Sequence, residues 1–194
     1  MNEHLKNILD KKFYEQIGNK EISNPKVLLA FAGVPFSGRT AVAKELEQHF
    51  QGLYLDKDYA RTLIYENEKI ENVQQPENIF DEYIPTVFER LKALNNGLII
   101  LDASIDRKYQ EYKDWSEKNG YHYIVISLEV DRVVAEETTK KERDEKTAKW
   151  FIEQFGRWYA DHEKFKQENK ADFTIRNIAS ETPILLEQLE KIIK

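Results

Sequence analysis

Cysteine is absent from this 194-residue chain, which excludes disulfide bonds, thiolate metal sites and a cysteine nucleophile. The sequence also lacks any apolar run near the ~20 residues of a membrane-spanning helix, and its polar start is unlike a signal peptide. We therefore expect no membrane partner and a cytoplasmic location. Excess positive charge is missing too: 29 basic and 35 acidic side chains give a net charge of −6, which argues against general nucleic-acid binding.

Glycine is scarce, with seven residues, and most of them mark boundaries between segments. Gly52, Gly97 and Gly120 each follow a charged, helix-like segment and precede an apolar run, where a left-handed helix cap belongs. Two further apolar runs cover residues 27–32 and 173–175. Continuous apolar runs that alternate with helices are typical of buried parallel strands. The sequence therefore predicts an α/β fold.

Apolar residues at helical spacing predict a helix ahead of the first strand, another after it, and further helices over 77–95 and 184–193. Pro85 is expected to break or restart the helix over 77–95. We interpret an aromatic stripe at helical spacing as core rather than as a platform for stacking bases. The stripe consists of Phe151, Phe155, Trp158, His162 and Phe165. No repeat or flexible linker interrupts the chain, so we expect one domain over 1–194, with 1–24 as an N-terminal helical extension.

The sharpest motif lies between the first strand and the next helix. It consists of Gly33, Val34, Pro35, Phe36, Ser37, Gly38, Arg39 and Thr40. Two glycines five apart, followed by a cation and a hydroxyl, fit the phosphate-loop pattern, with arginine as the cation. The glycines let backbone N–H groups cradle a polyphosphate at the helix N-terminus. Thr40 would then hold Mg²⁺ and Arg39 would bridge the terminal phosphates of ATP or another nucleoside triphosphate. The alternative is a strand-to-helix turn that binds no ligand.

Carboxylates follow the next two predicted strands. Asp56 and Asp58 follow the second strand, and Asp102 follows the third. In a parallel α/β sheet these strand ends border the nucleotide crevice. A carboxylate there can accept the proton of an acceptor hydroxyl, Arg61 can orient phosphate or substrate, and Asp102 would lie near the magnesium. Taken singly, Asp56 or Asp58 also fits a helix cap.

These motifs resemble the small P-loop kinases, above all the kinase domain of phage-type polynucleotide kinase and related AAA-type small kinases, over roughly residues 26–180. The resemblance implies a three-layer kinase-type fold, with a five-stranded parallel sheet flanked by helices and its last strand within 171–177. It also implies that Asp58 is the general base, that Arg61 positions the acceptor and that Asp102 supports the metal.

Two features depart from that family. Arg39 stands where the family has lysine, and the guanidinium is a wide planar fork rather than a compact point charge. In the lid region, about 138–150, the positions of the family's paired arginines fall on Thr138 and Glu142. Nearby cations could supply lid charge in another register, but interleaved acids slightly favour a solvated face. These cations are Lys140, Lys141, Arg143, Lys146 and Lys149.

Three functions remain open from the sequence. The first is an ATP-dependent kinase that transfers the terminal phosphoryl group to a hydroxyl of a small metabolite, a nucleotide or a nucleic-acid end; Thr40 and Asp58 favour it. The second is a degenerate nucleotide-binding module, a pseudokinase with a regulatory or partner-binding role, which Arg39 and Thr138 favour. The third is a nucleotide-sugar kinase similar to zeta toxins, although Asp102-Ala103-Ser104 replaces their glutamate-glycine-threonine signature.

Two further predictions complete the sequence-based account. The four histidines lack the spacing of metal ligands, so we expect no metal held by protein ligands alone, and magnesium would arrive with the nucleotide. The segment 62–96 would shape the acceptor pocket, and it contains no motif that identifies the acceptor.

Overall fold

Helices and strands alternate along the described residues, 3–17, 25–67, 75–94 and 97–193, of this computed structural model. In chain order the elements are α1 (Glu3–Ile17), β1 (Val27–Ala32), α2 (Arg39–Phe50), β2 (Leu53–Asp56), α3 (Lys57–Asn67), α4 (Gln75–Leu94), β3 (Leu98–Ser104), α5 (Tyr109–Lys118), β4 (His122–Leu128), α6 (Arg132–Glu142), α7 (Glu145–Glu168), β5 (Phe173–Ile175) and α8 (Ile178–Ile193).

The strands form a single sheet with the order β2-β3-β1-β4-β5, in which every neighbouring pair is parallel. Val27 of the central strand β1 lies opposite Leu98 of β3 and opposite His122 of β4. The predicted α/β fold with a five-stranded parallel sheet is therefore confirmed, and each apolar run of the sequence lies on a strand.

Helices cover both faces of the sheet, which explains why its strands are apolar without alternation. Leu28 and Ala30 of β1 pack in a core shared with α1, α3, α4 and α5. Leu29 and Phe31 point to the other face and pack in a core shared with α2 and α8. The fold therefore has three layers, helix, sheet and helix.

The predicted N-terminal helix is present as α1. Its residues Leu5 and Leu9 are fully buried in the core that α3 and α4 share, so these two residues pack against the sheet domain. Residues 1–2 and 18–24 of the predicted extension lie outside the described residues. Among the described residues, no helix is long and apolar enough to cross a membrane.

The prediction that Pro85 breaks its helix is wrong. Helix α4 continues through Pro85, which is exposed. The apolar stripe on either side of it is buried, including Tyr83, Ile84, Val87 and Phe88. Burial of this stripe against the core outweighs the one intrahelical hydrogen bond that proline cannot donate.

Candidate phosphate-binding and acceptor site

The segment 33–40 leaves the carboxyl end of β1 and enters α2, with glycine where the backbone requires it. Gly33 has φ of 138°, and a Cβ there would lie 2.6 Å from the carbonyl oxygen of Leu128. Gly38 has φ of 85°, and a Cβ there would lie 1.9 Å from Cδ1 of Ile178 in α8. Both values lie in the region that favours glycine, so the two glycines of the motif hold this path of the backbone.

The N-terminus of α2 has no side chain to cap it. Gly38 is the N-cap residue, and the amides of Ala41 and Val42 both donate to its carbonyl oxygen. The first N–H groups of a helix lack intrahelical partners, and the helix dipole adds partial positive charge there. Half-buried Thr40 lies in this first turn. A helix end of this kind favours a nearby negative charge.

Phe36 fixes the middle of the loop to α7. Its φ of 64° is unusual for a residue with a side chain. Its ring makes edge contacts with Phe151 and Phe155, at centroid distances of 5.3 and 6.5 Å, and the Arg143 guanidinium lies 5.8 Å from its centroid. Phe155, His162 and Phe165 of the predicted aromatic stripe are buried, whereas Phe151 and Trp158 are half-buried.

Arg39 is hydrogen-bonded to the carboxylate that was predicted to support the metal. Arg39 Nε donates to Asp102 Oδ1 at 2.8 Å, and the Tyr54 hydroxyl donates to Asp102 Oδ2 at 2.7 Å. The Asp102 side chain is 2% exposed and that of Arg39 is 15% exposed. Burial, followed by the bond to Asp102, raises the pKa of Tyr54 well above its ordinary value. These three side chains form a network beside the loop.

An irregularity in the sheet accompanies this network. Ala30 of β1 pairs with Leu101, but the next residue, Phe31, pairs with Ser104, so Asp102 and Ala103 have no partner on β1. On its other side, Asp102 pairs in register with Asp56 of β2. Irregularities of this kind re-aim side chains beside functional sites. Here two carboxylates meet at the carboxyl edge of the sheet.

Asp56 caps the helix that follows it. Its Oδ1 accepts the backbone N–H groups of Asp58 and Tyr59, at 2.8 and 3.2 Å, which satisfies two amides at the start of α3. Desolvation raises its pKa above the ordinary 3.8; nearby Asp102 also raises it, while the amide bond from Tyr59 lowers it. Of the two roles considered for Asp56, the structure supports the cap.

Replacement of Asp56 with asparagine is expected to flatten the dependence of stability on pH. Because its pKa is raised in the folded state, the folded protein binds the proton more tightly than the unfolded chain, whose value is near 3.8. The contribution of Asp56 to the free energy of unfolding therefore falls as pH rises from 3.8 through its raised pKa. Asparagine keeps the capping oxygen but cannot ionise, so the variant should gain stability relative to the parent between pH 4 and pH 7. Urea unfolding at both pH values measures this, and an equal difference at each pH would contradict it.

Asp58 and Arg61 lie in the first turn and the following residues of α3. Their side chains form an ion pair and are 55% and 37% exposed. The Asp58 carboxylate is thus open to solvent, unlike the Asp56 and Asp102 carboxylates. A carboxylate exposed in this way is accessible to a molecule that approaches from solvent.

The predicted lid region covers the end of α6, a short turn and the start of α7. The Thr138 hydroxyl donates a hydrogen bond to the backbone carbonyl of Val134, and Glu142 is exposed. The lysines of this region are exposed, as a solvated face requires, whereas Arg143 lies over Phe36 of the loop. A cavity of about 460 Å³ lies between α6 and α7, lined in part by Lys140, Arg143, Ile152 and Glu153.

Sequence reasoning missed several residues around the loop. The sequence places Tyr54 in an apolar run and His162 in the aromatic stripe, where it is buried, and neither position indicates a contact near the loop. Asp106 was passed over, yet both of its carboxylate oxygens lie within 3.3 Å of the Gly33 amide nitrogen. No local signal marks these residues, because each acts through a partner distant in sequence. Within the described ranges, no group of three His, Asp or Glu side chains is arranged to hold a metal.

No protein-family model matches this sequence, and no curated protein matches it either. Solved structures do. The fold is similar to that of shikimate kinase from Acinetobacter baumannii, with a TM-score of 0.53 and 13% identity over 87% of this chain and 92% of that one. It is similar to deoxyadenosine kinase from M. mycoides, with a TM-score of 0.54 and 18% identity over 85% of this chain and 100% of that one.

A third similar structure comes from the PezAT chromosomal toxin–antitoxin system of Streptococcus pneumoniae, with a TM-score of 0.58 and 15% identity over 84% of this chain and 69% of that one. At such low identities the likeness concerns the fold. It agrees with the five-stranded parallel sheet flanked by helices described above. This chain has the fold of the P-loop kinases.

Proposed function

We propose that this protein is an ATP-dependent phosphotransferase, which binds a nucleoside triphosphate with Mg²⁺ and transfers the terminal phosphoryl group to a hydroxyl acceptor. The observation that carries the proposal is the loop 33–40. Its two glycines adopt positive φ, and the loop places a helix N-terminus without a side-chain cap at the edge of the sheet where Asp56 of β2 pairs with Asp102 of β3. Polyphosphate is the anion that such a loop binds by its backbone amides.

The side chains around the loop suit a magnesium nucleotide. The Thr40 hydroxyl and the Asp102 carboxylate are oxygen donors of the kind that Mg²⁺ prefers. Each Asp102 oxygen accepts one hydrogen bond and retains a lone pair, so a water-mediated contact with the ion is compatible with its bonds to Arg39 and Tyr54. Bound Mg²⁺ would neutralise charge on the transferred phosphoryl group.

The chain's own residues would then have separate roles. Arg39 would hold phosphate with its remaining N–H groups, because only its Nε is bonded to Asp102. Asp58 would accept the proton of the acceptor hydroxyl, and Arg61, paired with it, would orient the acceptor. Asp56 would cap α3 and so fix the turn that carries Asp58.

The acceptor that we propose is a small molecule. Two proteins of similar fold are a shikimate kinase and a deoxyadenosine kinase, both named for small substrates that carry hydroxyl groups. The net charge of −6 disfavours a long polynucleotide. Part of the segment expected to shape the acceptor pocket, residues 68–74 and 95–96, lies outside the described residues.

Replacement of Thr40 tests the metal–nucleotide part of the proposal. Thr40→Ala should weaken ATP binding about tenfold in Mg²⁺ and have little effect in EDTA, because it removes the hydroxyl that would ligate the ion. Thr40→Ser keeps the hydroxyl and should bind as the parent does. Calorimetric titration with ATP measures both. Equal ATP affinity of the parent with and without Mg²⁺ would contradict this role.

One observation favours a second candidate, a nucleotide-binding module without transfer activity. Arg39 is held by a buried carboxylate, whereas the family's lysine is a flexible point charge. An interaction that does not strengthen in the transition state does not accelerate the reaction. Such a module would bind Mg·ATP and neither hydrolyse it nor transfer phosphate to any member of a metabolite and oligonucleotide panel, and radiolabelled ATP distinguishes the two candidates.

A further inference from the structure

Asp106, in the connection between β3 and α5, lies at the centre of a buried hydrogen-bond cluster. Its Oδ1 and Oδ2 lie 3.2 and 3.3 Å from the Gly33 amide nitrogen, which donates to them. The Ser104 hydroxyl donates to Oδ2 at 3.2 Å, and Nδ1 of His162 lies 3.2 Å from Oδ1. The side chains of Asp106 and His162 are 6% and 5% exposed. This cluster is separate from Asp56, Asp58 and Asp102.

The cluster joins three parts of the fold at the first residue of the phosphate loop. Gly33 belongs to the loop, Asp106 follows β3, and His162 belongs to α7. A neighbouring backbone bond, from the Ile105 amide to the Phe31 carbonyl at 2.9 Å, holds the same connection against the end of β1. Burial of an unpaired carboxylate is unfavourable. Here the Gly33 amide donates a charge-assisted hydrogen bond to Asp106 and His162 lies within hydrogen-bond distance, and these contacts stabilise the buried carboxylate.

His162 fits a role as donor to Asp106. Its Nε2 is buried and has no hydrogen-bond partner among the described residues. A neutral ring that donates from Nδ1 leaves Nε2 unprotonated, so no buried N–H lacks an acceptor. The ring also stacks on Phe165, with an interplanar angle of 11°, which fixes its orientation. The geometry therefore aims Nδ1 at Asp106.

Helix α7 contacts the loop at two places. His162 reaches Gly33 through Asp106 at the start of the loop, and Phe155 and Phe151 contact Phe36 in its middle. The same helix begins at Glu145, within the predicted lid region. A change in the position of α7 would therefore alter both contacts with the loop.

We propose that Asp106 and His162 are positioning residues, which orient the first peptide of the phosphate loop and tie it to α7. This inference rests on the proposed nucleotide binding by the loop. A Cβ built on Gly33 would lie 2.6 Å from the Leu128 carbonyl oxygen, so the loop backbone passes close to β4 at this residue. Its peptide direction therefore sets the path of the N–H groups that follow, and misplacement of a preorganised group by about 1 Å costs binding or rate.

The test compares two replacements of His162. His162→Phe keeps a ring but loses the donor, whereas His162→Asn loses the ring but places an amide N–H near the position of Nδ1. We expect His162→Phe to move the Gly33 amide resonance in ¹⁵N-glycine-labelled protein and to weaken Mg·ATP binding about tenfold. We expect His162→Asn to keep the Gly33 resonance and the affinity for Mg·ATP close to those of the parent. Asp114→Asn, on the exposed face of α5, makes the same chemical change as the Asp106→Asn variant described next and is its matched control. Its Gly33 resonance and Mg·ATP affinity should equal those of the parent.

Asp106→Asn keeps the shape of the side chain and provides a second route if His162→Phe does not fold. It should also move the Gly33 resonance and weaken binding, because the charge-assisted bond is lost. A parental Gly33 resonance and affinity in either folded variant would overturn the positioning role, as would a His162→Asn variant as impaired as His162→Phe. A parent that binds no Mg·ATP would instead overturn the proposed function, while the Gly33 resonance, read without nucleotide, still reports the tie to Asp106.

Discussion

Asp58→Asn is expected to slow phosphoryl transfer by about 10²-fold or more while ATP affinity stays close to that of the parent. A general base acts only when the acceptor proton leaves, so its loss affects the chemical step and not nucleotide binding. Asparagine has the same shape as aspartate but cannot take up the proton. The measurement is transfer from radiolabelled ATP to the acceptor found by screening, alongside calorimetric titration with Mg·ATP.

Asp56→Asn is the matched control for this experiment, because it makes the same chemical change two residues away, in the capping carboxylate. Asparagine also caps helices, so this variant should retain most of the transfer rate. A parental rate in Asp58→Asn together with a large loss in Asp56→Asn would contradict the assignment of the base to Asp58 and favour Asp56 instead.

Arg39→Met is expected to lower the free energy of unfolding by about 3 kcal/mol. Methionine fills similar space but leaves the Asp102 carboxylate, 2% exposed, with the Tyr54 hydroxyl as its remaining partner in the network. Removal of one partner of a buried ion pair is costly, since the other charge stays desolvated. Arg39→Lys keeps the charge but not the planar fork, and should lose about 1 kcal/mol. Urea unfolding at pH 7 measures both.

A double-mutant cycle measures the interaction energy between Arg39 and Asp102. In the Arg39→Met background, Asp102→Asn removes the unpaired charge and should recover most of the lost stability. Strict additivity of the two single losses would show that Arg39 and Asp102 do not interact. Parental stability of Arg39→Met would show that the guanidinium lies away from Asp102.

Patterns that are local in the chain predicted most of the fold. Each apolar run became a strand, because a strand buried on both faces needs continuous apolar residues. The glycine pair at 33 and 38 predicted the loop, since few other features require two left-handed residues so placed. The break expected at Pro85 did not occur, because the packing of α4 overrides the local preference of proline.

The finer chemistry of the site depends on contacts that no local pattern encodes. Asp102 was predicted from its strand end, but its bonds to Arg39, 63 residues away, and Tyr54, 48 residues away, emerge only from the folded sheet. The same holds for Asp106 and Gly33, 73 residues apart. Such side chains are ordinary in sequence, and their roles follow from the register of the strands that carry them.

The central claim is that the loop 33–40 binds the phosphates of a magnesium nucleotide, and glycine-selective ¹⁵N NMR tests it directly. The seven glycines include two in the loop, and Gly120 lies in open surroundings in the connection between α5 and β4. On addition of Mg·ATP, the amides of Gly33 and Gly38 should shift saturably while that of Gly120 stays in place. Unmoved loop glycines at millimolar Mg·ATP would contradict the account.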